Sequence, residues 1–153
     1  MNDKKILKRI GEDCAYTFKG LHKTADILEL EYKLYLIIPI AFSIISLGFS
    51  EDIPILILKV LAVTSLISTC YLIINQKEYE KITAYRKLAN EYKKIYDKVE
   101  NNFHKDNFDN IDEIQKEKDE LSNNRNELTI ISKAYEKTKN TIQQEMNLDW
   151  LKS

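Results

Sequence analysis

Glycine and proline are scarce: the 153-residue chain has 3 Gly (Gly11, Gly20, Gly48) and 2 Pro (Pro39, Pro54), and none lies beyond Pro54. β-Sandwiches, dinucleotide-binding units and glycine-rich phosphate loops need glycine in their turns, so those architectures are excluded. Cysteine and histidine are equally thin, with Cys14, Cys70, His22 and His104 far apart in the chain. Neither a disulfide nor a zinc site is expected from that spacing. G-x-S-x-G, H-E-x-x-H and Walker sequences are absent, so neither an enzyme nor a cofactor is expected. Carboxylates are plentiful, but solvated helix faces explain them.

What remains is helical, and two stretches of it are apolar. Leu34 to Ser50 has no charged residue, and Ile53 to Asn75 has only Lys59. A membrane helix takes roughly 17 to 25 apolar residues, so both windows are read as spans. A cleaved leader is not expected, because the first window follows a long, highly charged segment. Lys4, Lys5, Lys8, Arg9, Lys19, Lys23 and Lys33 precede the first window, and seven more basic residues lie between Lys77 and Lys98, whereas the Glu51-Asp52 step between the windows has none. The positive-inside rule then places both termini in the cytoplasm. Ser50 or Asp52 is available to cap the second span, with Pro54 in its first turn.

The fold expected is all-α: an N-terminal amphipathic helix in residues 1–33, spans at 34–50 and 53–75, and a cytoplasmic helical hairpin or bundle in 76–153. Ile6, Ile10, Cys14, Ala15, Phe18 and Leu21 form one apolar stripe. Ile82, Tyr85, Leu88, Ala89, Tyr92, Ile95, Tyr96, Val99 and Phe103 form another, on a helix expected to continue the second span without interruption. A turn is read near Asn101 to Asn107, where Asn and Asp stand in for glycine. A third pattern runs from Phe108 to Met146 with a weak break at Ser122-Asn123-Asn124. Lys77 to Lys98 is predominantly basic and Asp106 to Glu120 predominantly acidic. Those helices are expected to face each other, although the basic stretch, with Arg86, Lys87, Lys93 and Lys94, also suits an anionic ligand.

Polar residues inside the windows single themselves out. Thr64, Ser65, Ser68 and Asn75 recur on one side of the second span, and Ser43 with Ser46 in the first. They suit either a pore lining or a helix–helix contact, and both readings require assembly. Lys59 lies half a turn of net rotation from Ser68, so the two cannot line one straight path. With Glu51 and Asp52, Lys59 is read as part of an outer mouth. Pro39 removes a backbone hydrogen bond near Tyr35 and is either a gating hinge or an ordinary kink.

The order CAYTFKGLHKTADILELEYKLY, two short spans, then KEYEKITAYRKLANEYKKIYDKVENNF resembles the SLATT family, bacterial two-span effectors associated with nucleotide-signalling defence. His22-Lys23 and Ala25 before the first span, and Tyr85, Leu88-Ala89 and Tyr92 after the second, carry the resemblance, which covers about Gly11 to Phe103. Ser122-Asn123-Asn124 departs from the proline-containing connector of that pattern. The resemblance implies a homo-oligomeric pore or ion channel in the bacterial inner membrane. It would act on the lipid bilayer in anti-phage defence, controlled by a nucleotide or oligonucleotide from a partner nucleotidyltransferase. It supplies no catalytic residues. A membrane-anchored scaffold that recruits a cytoplasmic partner is the alternative.

Overall fold

The computed structural model describes residues 2–48, 53–125 and 128–145, and every regular element among them is α-helical. In order these are α1 Asn2–Gly48, α2 Ile55–Ile74, α3 Gln76–Glu80, α4 Ile82–His104, α5 Ile111–Asn123 and α6 Ser132–Glu145. The all-α class follows from the missing turn residues. α1 is one uninterrupted helix of 47 residues that runs through Pro39. The second long helix differs from expectation. Asn75 (φ −97°, ψ 9°) ends α2, and Lys81 ends the five-residue α3. α2 therefore does not pass unbroken into α4: the Asn75 side-chain amide and backbone N–H both donate to the Tyr71 carbonyl, at 2.9 and 3.1 Å, a local closure of the kind that draws asparagine out of helices.

The chain divides into two compact units, Met1–Ala25 with Thr83–Ser153, and Asp26–Ile82. In the first, Leu7, Ile10, Cys14, Ala15, Phe18 and Leu21 of α1 are buried, as are Tyr85, Leu88, Ala89, Tyr92, Ile95, Tyr96, Val99 and Phe103 of α4. Spacings of three and four residues put each set on one stripe. Ile6 is a correction: it is exposed, and Leu7 takes the core position in register with Ile10 and Cys14. Phe18 meets Tyr96 edge to face at 5.7 Å. The opposite charges anticipated on α4 and α5 meet in Lys98 and Glu117, at 2.6 Å, and α5 also reaches α1 through Lys118 and Asp13 at 2.6 Å. Such pairs at a partly exposed surface contribute little beyond register.

Aspartate replaces glycine where α4 ends. Asp106 has φ 49°, its N–H donates to the Phe103 carbonyl, and the Asn107 N–H donates to the Asn102 carbonyl. This is a Schellman closure, with Asp in the left-handed position usually held by Gly. The break between α5 and α6 is longer than the sequence suggested, and its Thr129–Ile131 part is fastened to the core. Tyr85 donates its hydroxyl to the Thr129 carbonyl at 3.0 Å. Thr24 accepts from the Ile131 N–H at 3.3 Å and donates to the Gly20 carbonyl at 2.9 Å. A Cβ at Gly20 would lie 2.6 Å from Ile130 Cδ1, so any larger residue there has to push the Ile130 side chain aside.

In the second unit, α1 and α2 are both long and apolar enough to cross a membrane. None of the most apolar window of α1 is buried, and 6% of that of α2. A helix in the core of a soluble protein would be mostly covered. Here Ile37, Ile40, Ile44, Val60, Leu66 and Ile67 are all exposed by more than half. Apolar surface this continuous is an interaction or membrane surface rather than a water-facing one.

Candidate functional site

The most informative place on the apolar helices is built around what proline lacks. Pro39 has no N–H to offer the carbonyl of Tyr35, four residues earlier in α1. Ser68 of α2 supplies the missing donor, its hydroxyl reaching the Tyr35 carbonyl at 2.9 Å. Ser68 is 3% exposed. One turn further on, the Tyr35 and Tyr71 rings stack with centroids 4.1 Å apart. Tyr32 meets Tyr79 of α3 edge to face at 5.2 Å. Falling numbers on α1 match rising numbers on α2 and α3, so the two segments pack antiparallel.

The residues of α2 and its cap that are not fully exposed are Leu58, Leu61, Ser65, Ser68, Leu72 and Asn75. Their alternating spacings of three and four are those of a coiled-coil seam. On α1 the matching set is Tyr35, Ile38, Pro39, Ala41, Phe42 and Ser46. Of the pore-lining candidates, then, Ser65, Ser68 and Asn75 lie on the seam stripe. Thr64 is exposed beside it and donates to the Val60 carbonyl of its own helix at 2.8 Å. Such a bond satisfies a hydroxyl without any partner helix. Ser43 is likewise exposed and bonded to the Pro39 carbonyl at 2.7 Å. Lys59 is exposed on the side of α2 opposite the seam. Glu51 and Asp52, assigned with it to an outer mouth, lie outside the described residues. Ser50, offered with Asp52 as the cap of α2, lies outside them too; the N-cap is Pro54, whose carbonyl accepts from the Ile57 and Leu58 N–H groups.

Arg86, Lys87, Lys93 and Lys94 are all exposed. They share the face of α4 opposite its buried stripe, within about a third of the helix circumference. The sequence could place them because α4 is strongly two-sided. Among the described residues, no three His, Cys, Asp or Glu side chains group as metal ligands.

Where α2 ends, sequence reading missed a pocket of about 430 Å³ lined by Tyr32, Leu72, Ile73, Gln76, Tyr79, Glu80 and Ile82. Its signal was the cluster of tyrosines on either side of the spans, the residue type that gathers where apolar helices meet water. Tyr79 is 8% exposed, and its hydroxyl has no hydrogen-bond partner among the described residues. Burial, with Glu31 and two neighbouring tyrosines adding to it, pushes its phenol up to about 12, so the group stays neutral. Gln76 donates to Glu80 at 2.8 Å, which fixes one carboxylate oxygen at the pocket rim.

No family model, curated protein or solved structure matches this chain.

Proposed function

We propose that this chain is a membrane effector whose α1 and α2 cross the bilayer as a two-span hairpin, with both termini cytoplasmic, and whose copies assemble into a pore or ion channel. The setting is the bacterial inner membrane, in defence against phage. The observation that supports membrane insertion is the absence of cover on the apolar windows, where none of that of α1 and 6% of that of α2 is buried. Lipid is a solvent that suits such surfaces.

One hairpin encloses no water path, so conduction requires several copies. Ser65, Ser68 and Asn75 turned toward α1 fit a closed resting form, in which the hydroxyl of Ser68 is occupied by Tyr35. Opening would separate that contact and expose the stripe to water. A nucleotide or oligonucleotide from a partner nucleotidyltransferase controls this step in the proposal, with Arg86, Lys87, Lys93 and Lys94 as its basic landing face. The scaffold reading draws on the same contact: a seam in which Ser68 is already bonded to α1 also suits a permanent anchor.

Ion flux from proteoliposomes separates the two. For a pore, the activated wild type conducts, and Ser68→Ala lowers the threshold for opening because the closed form loses a bond. No flux from either protein in the presence of the partner enzyme's product would reject the pore and leave the anchor.

A further inference from the structure

The pocket at the end of α2 has two chemically different sides. Leu72, Ile73 and Ile82 form an apolar wall, and Glu80 is the one charged side chain lining it among the described residues. One Glu80 oxygen is engaged by Gln76. Tyr32 lines the same pocket as Glu80, pairs edge to face with Tyr79 and is 40% exposed, so it is not covered by that contact alone. A carboxylate and a partly exposed aromatic ring in one pocket are the groups that recognise an ammonium ion. An apolar wall within a turn of it demands that the ammonium be carried on something with hydrocarbon attached.

We propose that this pocket binds a zwitterionic phospholipid through an ammonium headgroup. Glu80 receives the ammonium, Tyr32 lies against it, and Leu72, Ile73 and Ile82 cover the start of the acyl region. The inference rests on the membrane reading, because the pocket sits where α2, apolar enough to span, gives way to the polar α3. Charge decides between lipid classes. An anionic headgroup would bring its phosphate and no cation to a site whose charged lining residue is an acid, whereas an ethanolamine headgroup brings the matching cation.

The test uses the full chain in an uncharged maltoside detergent, titrated with dihexanoyl-phosphatidylethanolamine, dihexanoyl-phosphatidylglycerol and free phosphoethanolamine, with bound ligand counted by native mass spectrometry. The wild type should prefer the ethanolamine lipid by about 10-fold over the glycerol lipid, the scale of a charge-assisted contact. Glu80→Gln should abolish that preference, and Tyr32→Leu should weaken ethanolamine-lipid binding by about 2- to 5-fold, the scale of an exposed cation–π contact, while leaving the glycerol lipid unchanged. Equal binding of the two lipids, or an unchanged preference in Glu80→Gln, overturns the proposal. Phosphoethanolamine binding as tightly as the lipid also overturns it, since the apolar wall would then contribute nothing. Glu80 is exposed, so its substitution does not threaten folding. Alkaline carbonate extraction of membranes reads the membrane assignment separately. Resistance to extraction without lipid preference removes only the pocket's assignment; extraction with preference retained removes only the spans.

Discussion

Replacing Ser68 by Ala should cost stability in a way that depends on a residue of another helix. The hydroxyl lies 2.9 Å from the Tyr35 carbonyl and is almost fully buried, and Pro39 denies that carbonyl its usual donor. Deleting it leaves a shielded carbonyl without a partner. In water-soluble proteins that loss runs to about 1–3 kcal/mol, and between membrane helices hydrogen bonds average about 0.6 with a ceiling near 1.7. About 1–1.5 kcal/mol is therefore expected for Ser68→Ala. Pro39→Ala restores an N–H positioned for the same carbonyl, so in that background Ser68→Ala should cost less than about 0.5 kcal/mol. The assay is reversible unfolding in mixed detergent micelles, followed by the near-ultraviolet circular dichroism of the stacked Tyr35–Tyr71 pair. A Ser68→Ala cost that is identical in the wild-type and Pro39→Ala backgrounds would show that Ser68 does not stand in for the missing proline donor, as would no cost at all.

Cys14 supplies a pH prediction. Burial pushes its thiol from 9.0 up to about 12, partly offset by Lys118 and reinforced by Asp13. The folded chain then holds the proton more tightly than the unfolded chain. Its stabilising contribution is complete below pH 9 and is lost as pH rises from 9 toward 12, by at most about 1.4 kcal/mol per pH unit. Denaturation midpoints of wild type and Cys14→Ala should accordingly converge above pH 9; parallel curves would be the wrong outcome. Thr24→Val leaves the Ile131 N–H without its acceptor and should cost about 1–3 kcal/mol by chemical denaturation, with faster hydrogen exchange at Ile131. At Asp106, Gly relieves the left-handed backbone but gives up the exposed 3.4 Å pair with Lys4, so it should stay within about 1 kcal/mol of wild type, while Val loses the pair and takes the backbone strain and should lose about 1–2 kcal/mol. The reverse order in thermal melts would rule out the left-handed cap.

The helices and the buried stripes are legible in the sequence because their spacing is written directly in residue type. α4 shows this best: Tyr85, Leu88, Ala89, Tyr92, Ile95, Tyr96, Val99 and Phe103 are read from period alone and are buried. Ile6 misleads because Ile6 and Leu7 are adjacent and equally apolar, and only packing against the other helices chooses between them. The interruptions at Asn75 and Lys81 are hidden because neither residue is a strong breaker; each interrupts by capping its own turn. Ser68 illustrates the deeper limit. Its position on a polar stripe is visible, but its partner is a backbone carbonyl 33 residues away, freed by Pro39, and no side-chain pattern records a free carbonyl. The pocket by Glu80 escapes for the same reason, being assembled from α1, α2, α3 and the start of α4.

Everything proposed for function depends on α1 and α2 crossing a bilayer, and labelling with a membrane-impermeant maleimide tests this most directly. In a Cys14→Ser, Cys70→Ser background, single cysteines are introduced at Asp52, Lys5 and Lys139, and right-side-out membrane vesicles are treated before and after permeabilisation. With two spans and both termini inside, Asp52→Cys is labelled in intact vesicles, and Lys5→Cys and Lys139→Cys only once the membrane is opened. Equal labelling of all three positions in intact vesicles would contradict this topology.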